Sequence, residues 1–270
     1  MSVMQLVELK QPISDVVPHI LKRPVLHVSP GDSLLQVGIF LAIGPQIYAD
    51  GLVVLDGQKP VGRIGGQHII QYILQRRDGW LQATASQIMS HAPSVVEAGD
   101  PLETALYIFG KTRFAFVPIT VDGRVATSLS IRDILRLAID KLDTPVGELS
   151  SRLISVKGST SIQKALELML ENGVRNLAVR KESGDTRIMN DRKILEFLLS
   201  YEGRRVMAIP TGLDSVRVDL LDMPAPKYVW RSTPAGVAAE LLSDVNTPCL
   251  LCDDSIATPW DIVMKGLFKA

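Results

Sequence analysis

Ser130-Ile131-Arg132-Asp133 stands between a predicted β-hairpin and an amphipathic helix, and it recurs near the C-terminus as Thr258-Pro259-Trp260-Asp261. A hydroxyl followed three residues later by a carboxylate, at a helix start, is typical of a capping box, which satisfies free backbone N–H groups. The same arrangement suits a second role, in which the hydroxyl and the N–H groups hold a phosphate and the carboxylate binds a ribose diol. The stretch alone leaves both roles open, so the surrounding repeat has to decide between them.

The chain contains four similar segments. Ser159-Thr160-Ser161-Ile162 is echoed by Ser232-Thr233-Pro234-Ala235, and Gly99-Asp100-Pro101-Leu102 is echoed by Gly31-Asp32-Ser33-Leu34. Each segment reads as strand, helix, strand, strand and helix, which predicts an α+β protein with four β-α-β-β-α repeats. The predicted first strands are Val25 to Val28, Ser94 to Val96, Ile154 to Val156 and Tyr228 to Trp230. The predicted second strands are Leu52 to Leu55, Phe114 to Pro118, Asn176 to Val179 and Cys249 to Cys252.

The repeated unit resembles the cystathionine beta-synthase (CBS) domain, and four tandem copies resemble two Bateman modules, each a pseudo-twofold pair of units packed through their sheets. The resemblance implies a first module over residues 1–142, with motifs at 17–75 and 85–142, and a second over residues 143–270, with motifs at 145–202 and 216–270. We expect the boundary at Asp140 to Pro145, where Thr144-Pro145 interrupts a helix. The architecture is also similar to that of the gamma subunits of AMP-activated protein kinases, a likeness that identifies no partner.

The resemblance further implies one adenine nucleotide site in each module, because the hydroxyl and the carboxylate are both present only in the second and fourth repeats. In the second repeat, Asp133 would bind the ribose hydroxyls, Ser130 and Arg113 the phosphates, and Val95 and Phe114 the base. Arg132, in contrast, is expected to face solvent. The other nucleotide-binding residues implied by the resemblance are Thr258, Asp261, Tyr228, Arg175 and Lys193, with Arg175 as the counterpart of Arg113.

The first and third repeats depart from this pattern. In the first, Gly65 replaces the hydroxyl residue and His68 the carboxylate, so that a ribose contact is in doubt and His68 is expected to face solvent. In the third, Asn190 and Lys193 stand at the two positions, and a lysine cannot accept hydrogen bonds from a ribose. That site is either inactive or Lys193 lends its charge to phosphates in a neighbouring site, and we favour the first interpretation.

Composition excludes several classes of function. Lys+Arg and Asp+Glu are both 29, and neither Arg76-Arg77 nor Arg204-Arg205 extends into a basic run, so no nucleic-acid partner is expected. No run of about 18 apolar residues suggests a membrane helix, and Met1 to Gln11 lacks a signal-peptide pattern. Two cysteines also fit a reducing compartment, so the expected location is the cytoplasm.

Two stretches resemble enzyme or metal motifs. Gly31-Asp32-Ser33-Leu34 matches a GDSL hydrolase nucleophile, but the second repeat has a proline, Pro101, at the serine position, which suits the first turn of a helix. Such a hydrolase also needs a histidine late in the chain as its base, and no histidine follows His91. Cys249-x-x-Cys252 has no second Cys or His pair nearby, which favours buried thiols over a metal site.

The sequence therefore predicts a non-catalytic regulatory protein without a metal or catalytic cofactor. AMP, ADP, ATP or a related adenosyl compound would be its regulatory ligand, and it would act on a protein partner or as a homodimer. The alternative is a scaffold or oligomerisation module in which Asp133 and Asp261 are only helix caps and no metabolite binds. An enzyme has the least support, because no catalytic constellation of His, Cys and Asp is apparent in the sequence.

Overall fold

The structure is a computed structural model, which describes residues 7–44, 50–76 and 79–268. Four β-α-β-β-α units follow one another along the chain, as the sequence predicts. A leading segment precedes the first unit and contains α1 (Ile13–Val16) and a 3-10 helix (Pro18–Lys22). The first unit then comprises β1 (His27–Val28), α2 (Leu34–Ile43), β2 (Leu52–Asp56), β3 (Lys59–Ile64) and α3 (Gly66–Gln75).

The second unit is also preceded by its own leading segment. That segment contains a 3-10 helix (Trp80–Gln82), α4 (Ala85–Ile88) and β4 (Ser90–His91). The unit itself comprises β5 (Val96–Glu97), α5 (Leu102–Thr112), β6 (Phe116–Val121), β7 (Arg124–Ser130), α6 (Ile131–Leu135) and a 3-10 helix (Arg136–Ala138). Asp122 and Gly123 both have positive φ, 52° and 73°, which is the backbone that the tight turn between β6 and β7 requires.

The second half of the chain repeats this order. The third leading segment contains α7 (Val146–Leu149) and β8 (Ser151–Arg152). The third unit comprises β9 (Ser155–Lys157), α8 (Ile162–Glu171), β10 (Asn176–Arg180), β11 (Thr186–Asn190) and α9 (Asp191–Leu199). The connection after it forms α10 (Tyr201–Met207), α11 (Gly212–Ser215) and a 3-10 helix (Val218–Leu220). The fourth unit comprises β12 (Lys227–Tyr228), α12 (Ala235–Leu242), β13 (Leu250–Cys252), β14 (Ser255–Ala257), α13 (Pro259–Asp261) and a π-helix (Ile262–Leu267).

Each unit contains one small mixed sheet. Its first strand runs parallel to the second, and the second and third form an antiparallel hairpin. The parallel pair fits the α-helix that connects those two strands. Two sheets gain a fourth strand from the leading segment of another unit, because β4 joins β3 and β8 joins β14.

The leading segments are exchanged between neighbouring units. Ile13 N–H donates to Asp100 O of the second unit (3.0 Å), and Ala85 N–H donates to Asp32 O of the first unit (2.8 Å). Two equivalent bonds join the other pair, from Val146 to Thr233 of the fourth unit (2.8 Å) and from Val218 to Thr160 of the third unit (2.9 Å). The hydrogen bonds therefore couple the first unit to the second and the third unit to the fourth.

The sheets of each coupled pair also pack face to face. Val53 and Leu55 of β2 form one buried cluster with Phe116 of β6 in the first pair. The second pair has a smaller inter-sheet cluster, formed by Ala178, Ile188, Cys249, Leu251 and Ile256. This packing is the pseudo-twofold arrangement that the resemblance implies, whereas the division of the chain at residues 142 and 143 remains a proposal.

The two large hydrophobic cores lie between the pairs rather than within them. One core combines α2 and α3 of the first unit with α8 and α9 of the third, and α9 makes its most extensive helix contact with α2. The other core combines α5 and α6 of the second unit with α12 and the π-helix of the fourth. Each of the two large cores thus contains residues from both halves of the chain. No helix among the described residues has the length and apolar character needed to cross a membrane.

Candidate functional site in the inter-unit clefts

Asp133 lies at the start of α6, and its carboxylate is only 3% exposed. The backbone turns from β7 into the helix at Ser130, and Ser130 N–H donates to Asp133 Oδ2 at 2.7 Å. Ser130 Oγ is fully buried and has no hydrogen-bond partner among the described residues. The carboxylate therefore caps the helix, while the hydroxyl retains its hydrogen-bonding capacity.

Arg23, at the end of the first leading segment, occupies the remaining acceptor positions of Asp133. Its Nη1 donates to Oδ1 at 2.9 Å and its Nη2 to Oδ2 at 2.5 Å, a bidentate pair. Nη2 also donates to Ser128 O at 2.8 Å, and His19 Nε2 lies 3.4 Å from Oδ1. A segment that belongs to the first unit thus supplies the partner of the second unit's carboxylate.

Asp261 has the equivalent position in the fourth unit and is engaged by four donors. Thr258 donates to Oδ2 through its N–H (2.9 Å) and its hydroxyl (2.7 Å), which completes the capping box with Asp261 N–H. Ser151 Oγ, from the third leading segment, and Lys265 Nζ both lie 2.7 Å from Oδ1. Of the two sequence-predicted sites, this one has the more completely satisfied polar groups.

Arg175 bridges the first and third units. It donates through Nε to Asp191 Oδ2 at 2.8 Å, and its Nη1 lies 3.6 Å from Asp50 Oδ1. Asp191, and to a smaller extent Asp50, raise the pKa of Arg175, so the guanidinium is charged. The residue predicted to contact phosphates is neutralised by carboxylates of the protein.

The expected equivalence of Arg113 and Arg175 is wrong. Leu129 and Met189 each lie one residue before an N-cap, and their strand partners are Val117 and Leu177. Val117 therefore aligns with Leu177. Four residues earlier in each unit, Arg113 aligns with Gly173. Arg113 and Gly173 share the left-handed conformation that ends their helices, with φ of 60° and 61°. The second and third units each have an arginine shortly before the second strand, and Arg175 lies two residues beyond the position that aligns with Arg113. The sequence pattern alone does not show this difference.

Arg113 and Arg132 both reach across to the fourth unit. The Arg113 guanidinium lies 5.9 Å from the ring centre of Trp260. Arg132 donates through Nη1 to Leu242 O, at the end of α12, and through Nη2 to Thr247 O (3.3 Å). The expectation that Arg132 faces solvent is therefore wrong, and burial lowers its pKa. A cation at the carboxyl end of a helix interacts favourably with the helix dipole.

Phe114 lies in the first inter-unit cleft beside two residues that the sequence analysis did not assign to a site. His68 stacks on it at 5.2 Å between ring centres, and the Arg63 guanidinium lies 4.2 Å from its ring centre. His68 does not face solvent as expected: it is partly buried, and its Nδ1 accepts a hydrogen bond from Gly65 N–H at 3.2 Å. Burial lowers the pKa of His68, so the neutral ring caps α3 in the place that Asp133 and Asp261 have in the second and fourth units.

The remaining predicted residues are dispersed. Lys193 Nζ donates to Glu196 Oε2 at 2.7 Å, and Asn190 Oδ1 accepts from Lys193 N–H. Tyr228 is 65% exposed and borders a cleft of about 380 Å³ between the third and fourth units, and Val95 is 41% exposed. Of the predicted residues, Val95, Arg113, Phe114, Ser130 and Asp133 lie in the second unit, whereas Arg175 and Lys193 lie in the third and Tyr228, Thr258 and Asp261 in the fourth.

The sequence contained one signal for the missed arginine. When the repeats are aligned on their N-cap residues, Arg63 falls at the position of Ser128, Ile188 and Ile256. A charged residue at a position that is isoleucine in two repeats marks an unusual strand. Arg23 gives no such signal, because it lies 110 residues from its partner.

Comparison with known proteins agrees with this architecture. The family model described as CBS domain matches residues 85–140 and 146–198. A solved structure from Methanocaldococcus jannaschii, described as a proposed archaeal homologue of g-AMPK, has a TM-score of 0.76 and 17% identity, covering 89% of this chain and 95% of the other. An uncharacterised conserved protein from Pyrococcus horikoshii has a TM-score of 0.55 and 15% identity, covering 89% and 94%.

No curated protein sequence matches the chain. At these identities, the likeness to the two solved structures concerns the fold alone. The two family matches fall on the second and third units, and the first and fourth units share their order of strands and helices. The second and third units therefore match the CBS domain, and the chain combines four units of this fold in two pairs.

Proposed function

We propose that this protein is a regulatory CBS-domain protein that binds an adenosyl ligand, such as AMP, ADP or ATP, between the first and second units and thereby modulates a partner. The observation that carries the proposal is the state of the Ser130-to-Asp133 element. Ser130 Oγ is buried without a partner beside a carboxylate whose outer hydrogen bonds come from a single side chain, Arg23. Such a carboxylate can exchange one pair of donors for another.

A ribose diol presents two hydroxyl donors to a carboxylate, as the Arg23 guanidinium presents two N–H donors. Binding at Asp133 would therefore displace Arg23 and release the end of the first leading segment from the second unit. Because that segment is hydrogen-bonded to the second unit at Asp100, its displacement would change how the two units meet. The ligand regulates the protein if it binds more tightly to the arrangement in which Arg23 is displaced.

The experiment that tests this function is a thermal-shift panel of AMP, ADP, ATP and S-adenosylmethionine on the wild type, Asp133→Ala and Asp261→Ala. A ligand at about a hundred times its dissociation constant adds ~2.7 kcal/mol to the free energy of unfolding. We expect at least one adenosyl compound to raise the melting temperature of the wild type and of Asp261→Ala, but not of Asp133→Ala. Equal shifts in all three proteins would refute the assignment to Asp133.

The alternative function is a scaffold, and one observation favours it. Asp261, Arg175 and Lys193 all have partners within the protein, so three predicted ligand contacts serve structural roles as they stand. A scaffold would show no response to any adenosyl compound. Asp133→Ala would then change stability alone.

A further inference from the structure

Arg63, in β3, is the least compensated charge in the inter-sheet layer of the first pair. It is 3% exposed, and its Nε and Nη1 have no hydrogen-bond partner in the part of the chain that the structure describes. A guanidinium remains protonated in proteins, so it cannot escape burial by losing its proton. An unpaired buried charge is costly, and protein interiors normally supply it with a counter-charge and hydrogen-bond acceptors.

The neighbours of Arg63 do not provide that counter-charge. Its one specific contact is the face of Phe114, at 4.2 Å, and no carboxylate among the described residues forms an ion pair with it. His68 is kept neutral by burial. A cation–π contact contributes about 2 kcal/mol when desolvated, which is smaller than the cost of burying an unpaired ion.

Packing of the sheets does not require an arginine at this position. The equivalent residues in the second pair, Ile188 and Ile256, fill an apolar inter-sheet cluster. Arg63 lies opposite Val53, which belongs to the same buried inter-sheet cluster as Phe116, and Phe116 in turn lies opposite Ser130. Since residues directly opposite share a face of their sheet, Arg63 and Ser130 project from facing sheets into the same layer. Both carry buried donors without partners.

We propose that Arg63 anchors an oxyanion site in the layer between the first and second units, and that this site takes a phosphate group, free or carried by a nucleotide. Arg63 supplies two N–H donors through Nε and Nη1, and the Ser130 hydroxyl supplies a third donor on the facing sheet. His68 also borders an open cleft of about 460 Å³ with Gln67 and Gln71. His68 stacks on Phe114, whose ring contacts Arg63, so this cleft adjoins the ring pair. The nucleotide form of this inference rests on the proposed function, and the free phosphate form does not.

The test compares the wild type with Arg63→Met and with a matched control, Arg124→Met, which removes an exposed arginine at the start of β7. Affinity for inorganic phosphate, AMP and adenosine is measured by calorimetry, at constant ionic strength so that general screening does not change. Methionine has a volume close to that of arginine and suits the apolar neighbours. Melting temperatures without ligand are recorded for all three proteins.

We expect the wild type and Arg124→Met to bind phosphate and Arg63→Met to bind it at least tenfold more weakly. Without ligand, the melting temperature of Arg63→Met should be no lower than that of the wild type. Lower stability of Arg63→Met with unchanged phosphate affinity would make Arg63 structural and overturn the inference, as would no phosphate binding by the wild type. Adenosine binding that is equal in all three proteins, with no gain from phosphate, would support the proposed function and refute the oxyanion site. Phosphate binding through Arg63 without any effect of adenosine would support the oxyanion site and refute the proposed function.

Discussion

At the scale of single residues, the pair formed by Arg23 and Asp133 links the leading segment to the second unit. Removing Arg23 leaves a carboxylate that is 3% exposed with one backbone donor and a histidine 3.4 Å away. Loss of one partner of a buried pair costs about 3 kcal/mol or more, but Arg23 is 21% exposed, so we expect Arg23→Gln to lower the free energy of unfolding by about 1–3 kcal/mol.

Urea unfolding of a double-mutant cycle with Asp133→Asn measures this coupling. If the pair is the main interaction of both side chains, the double variant is more stable than the sum of the two single effects predicts. Strictly additive effects would mean that the two side chains do not interact. In the ligand panel, Arg23→Gln is also expected to bind an adenosyl compound more tightly, because it removes the internal competitor.

Cys249 gives the molecule a pH dependence of known sign. It is 1% exposed, and burial raises its pKa to about 12. The unfolded chain releases this proton near the ordinary thiol pKa of about 8.5, whereas the folded protein retains it. Stability is therefore fully present below that pH and falls as the pH rises toward 12, by at most about 1.4 kcal/mol per unit.

The measurement is the free energy of unfolding of the wild type and Cys249→Ala from pH 7 to pH 10. The difference at pH 7 gives the packing lost with the thiol, and we expect that difference to shrink as the pH rises. A constant difference across the range would show that Cys249 ionises as readily in the folded as in the unfolded protein.

At the scale of elements, the sheets of the first pair pack closely at one point. Gly51 and Phe116 occupy the same place in their units, since each lies 14 residues before its N-cap, Gly65 or Ser130. The Phe116 ring occupies the space where the Cβ atom of a side chain at Gly51 would lie. We expect Gly51→Ala to cost about 1–3 kcal/mol through overpacking. Gly31→Ala is the matched control, because no atom lies within 4 Å of its added carbon.

Thermal unfolding distinguishes the two substitutions. Combining Gly51→Ala with Phe116→Leu should cost less than the sum of the separate effects, since the smaller side chain relieves part of the clash. If Gly51→Ala and Gly31→Ala prove equally mild, the two sheets must be able to move apart at this point.

Elements with local signals were predictable and contacts between distant elements were not. The hairpin that precedes Ser130 has a short-range sequence pattern and is present as predicted, with its turn at Asp122-Gly123. Three of the four first strands are shorter than predicted, as with His27–Val28, because only two residues pair with the second strand. The Asp50-to-Arg175 pair joins residues of separate units, so no local pattern could indicate it.

At the scale of the whole molecule, the order of the four units was predictable from the repeat, but the sharing of the cores was not. Each pair of units is connected by exchanged segments and facing sheets, which fits the proposed modules. The helices of each pair, however, complete their apolar surface only against the other pair. The amphipathic pattern of a helix shows that one face is buried, but it does not identify the element that covers it.

This sharing predicts that the two halves of the chain depend on each other. Residues 1–142 and 143–270, produced separately, would each expose the helical faces that form the two large cores, and each is expected to self-associate or to lack a cooperative transition. Mixing them should restore a one-to-one complex, detected by sedimentation, that unfolds in a single transition like the intact chain. Two monomeric fragments with independent transitions would contradict the shared cores. A complex that forms only on mixing would mean that the packed helices hold the two pairs together, since helices of the fourth unit share a core with α5 and α6.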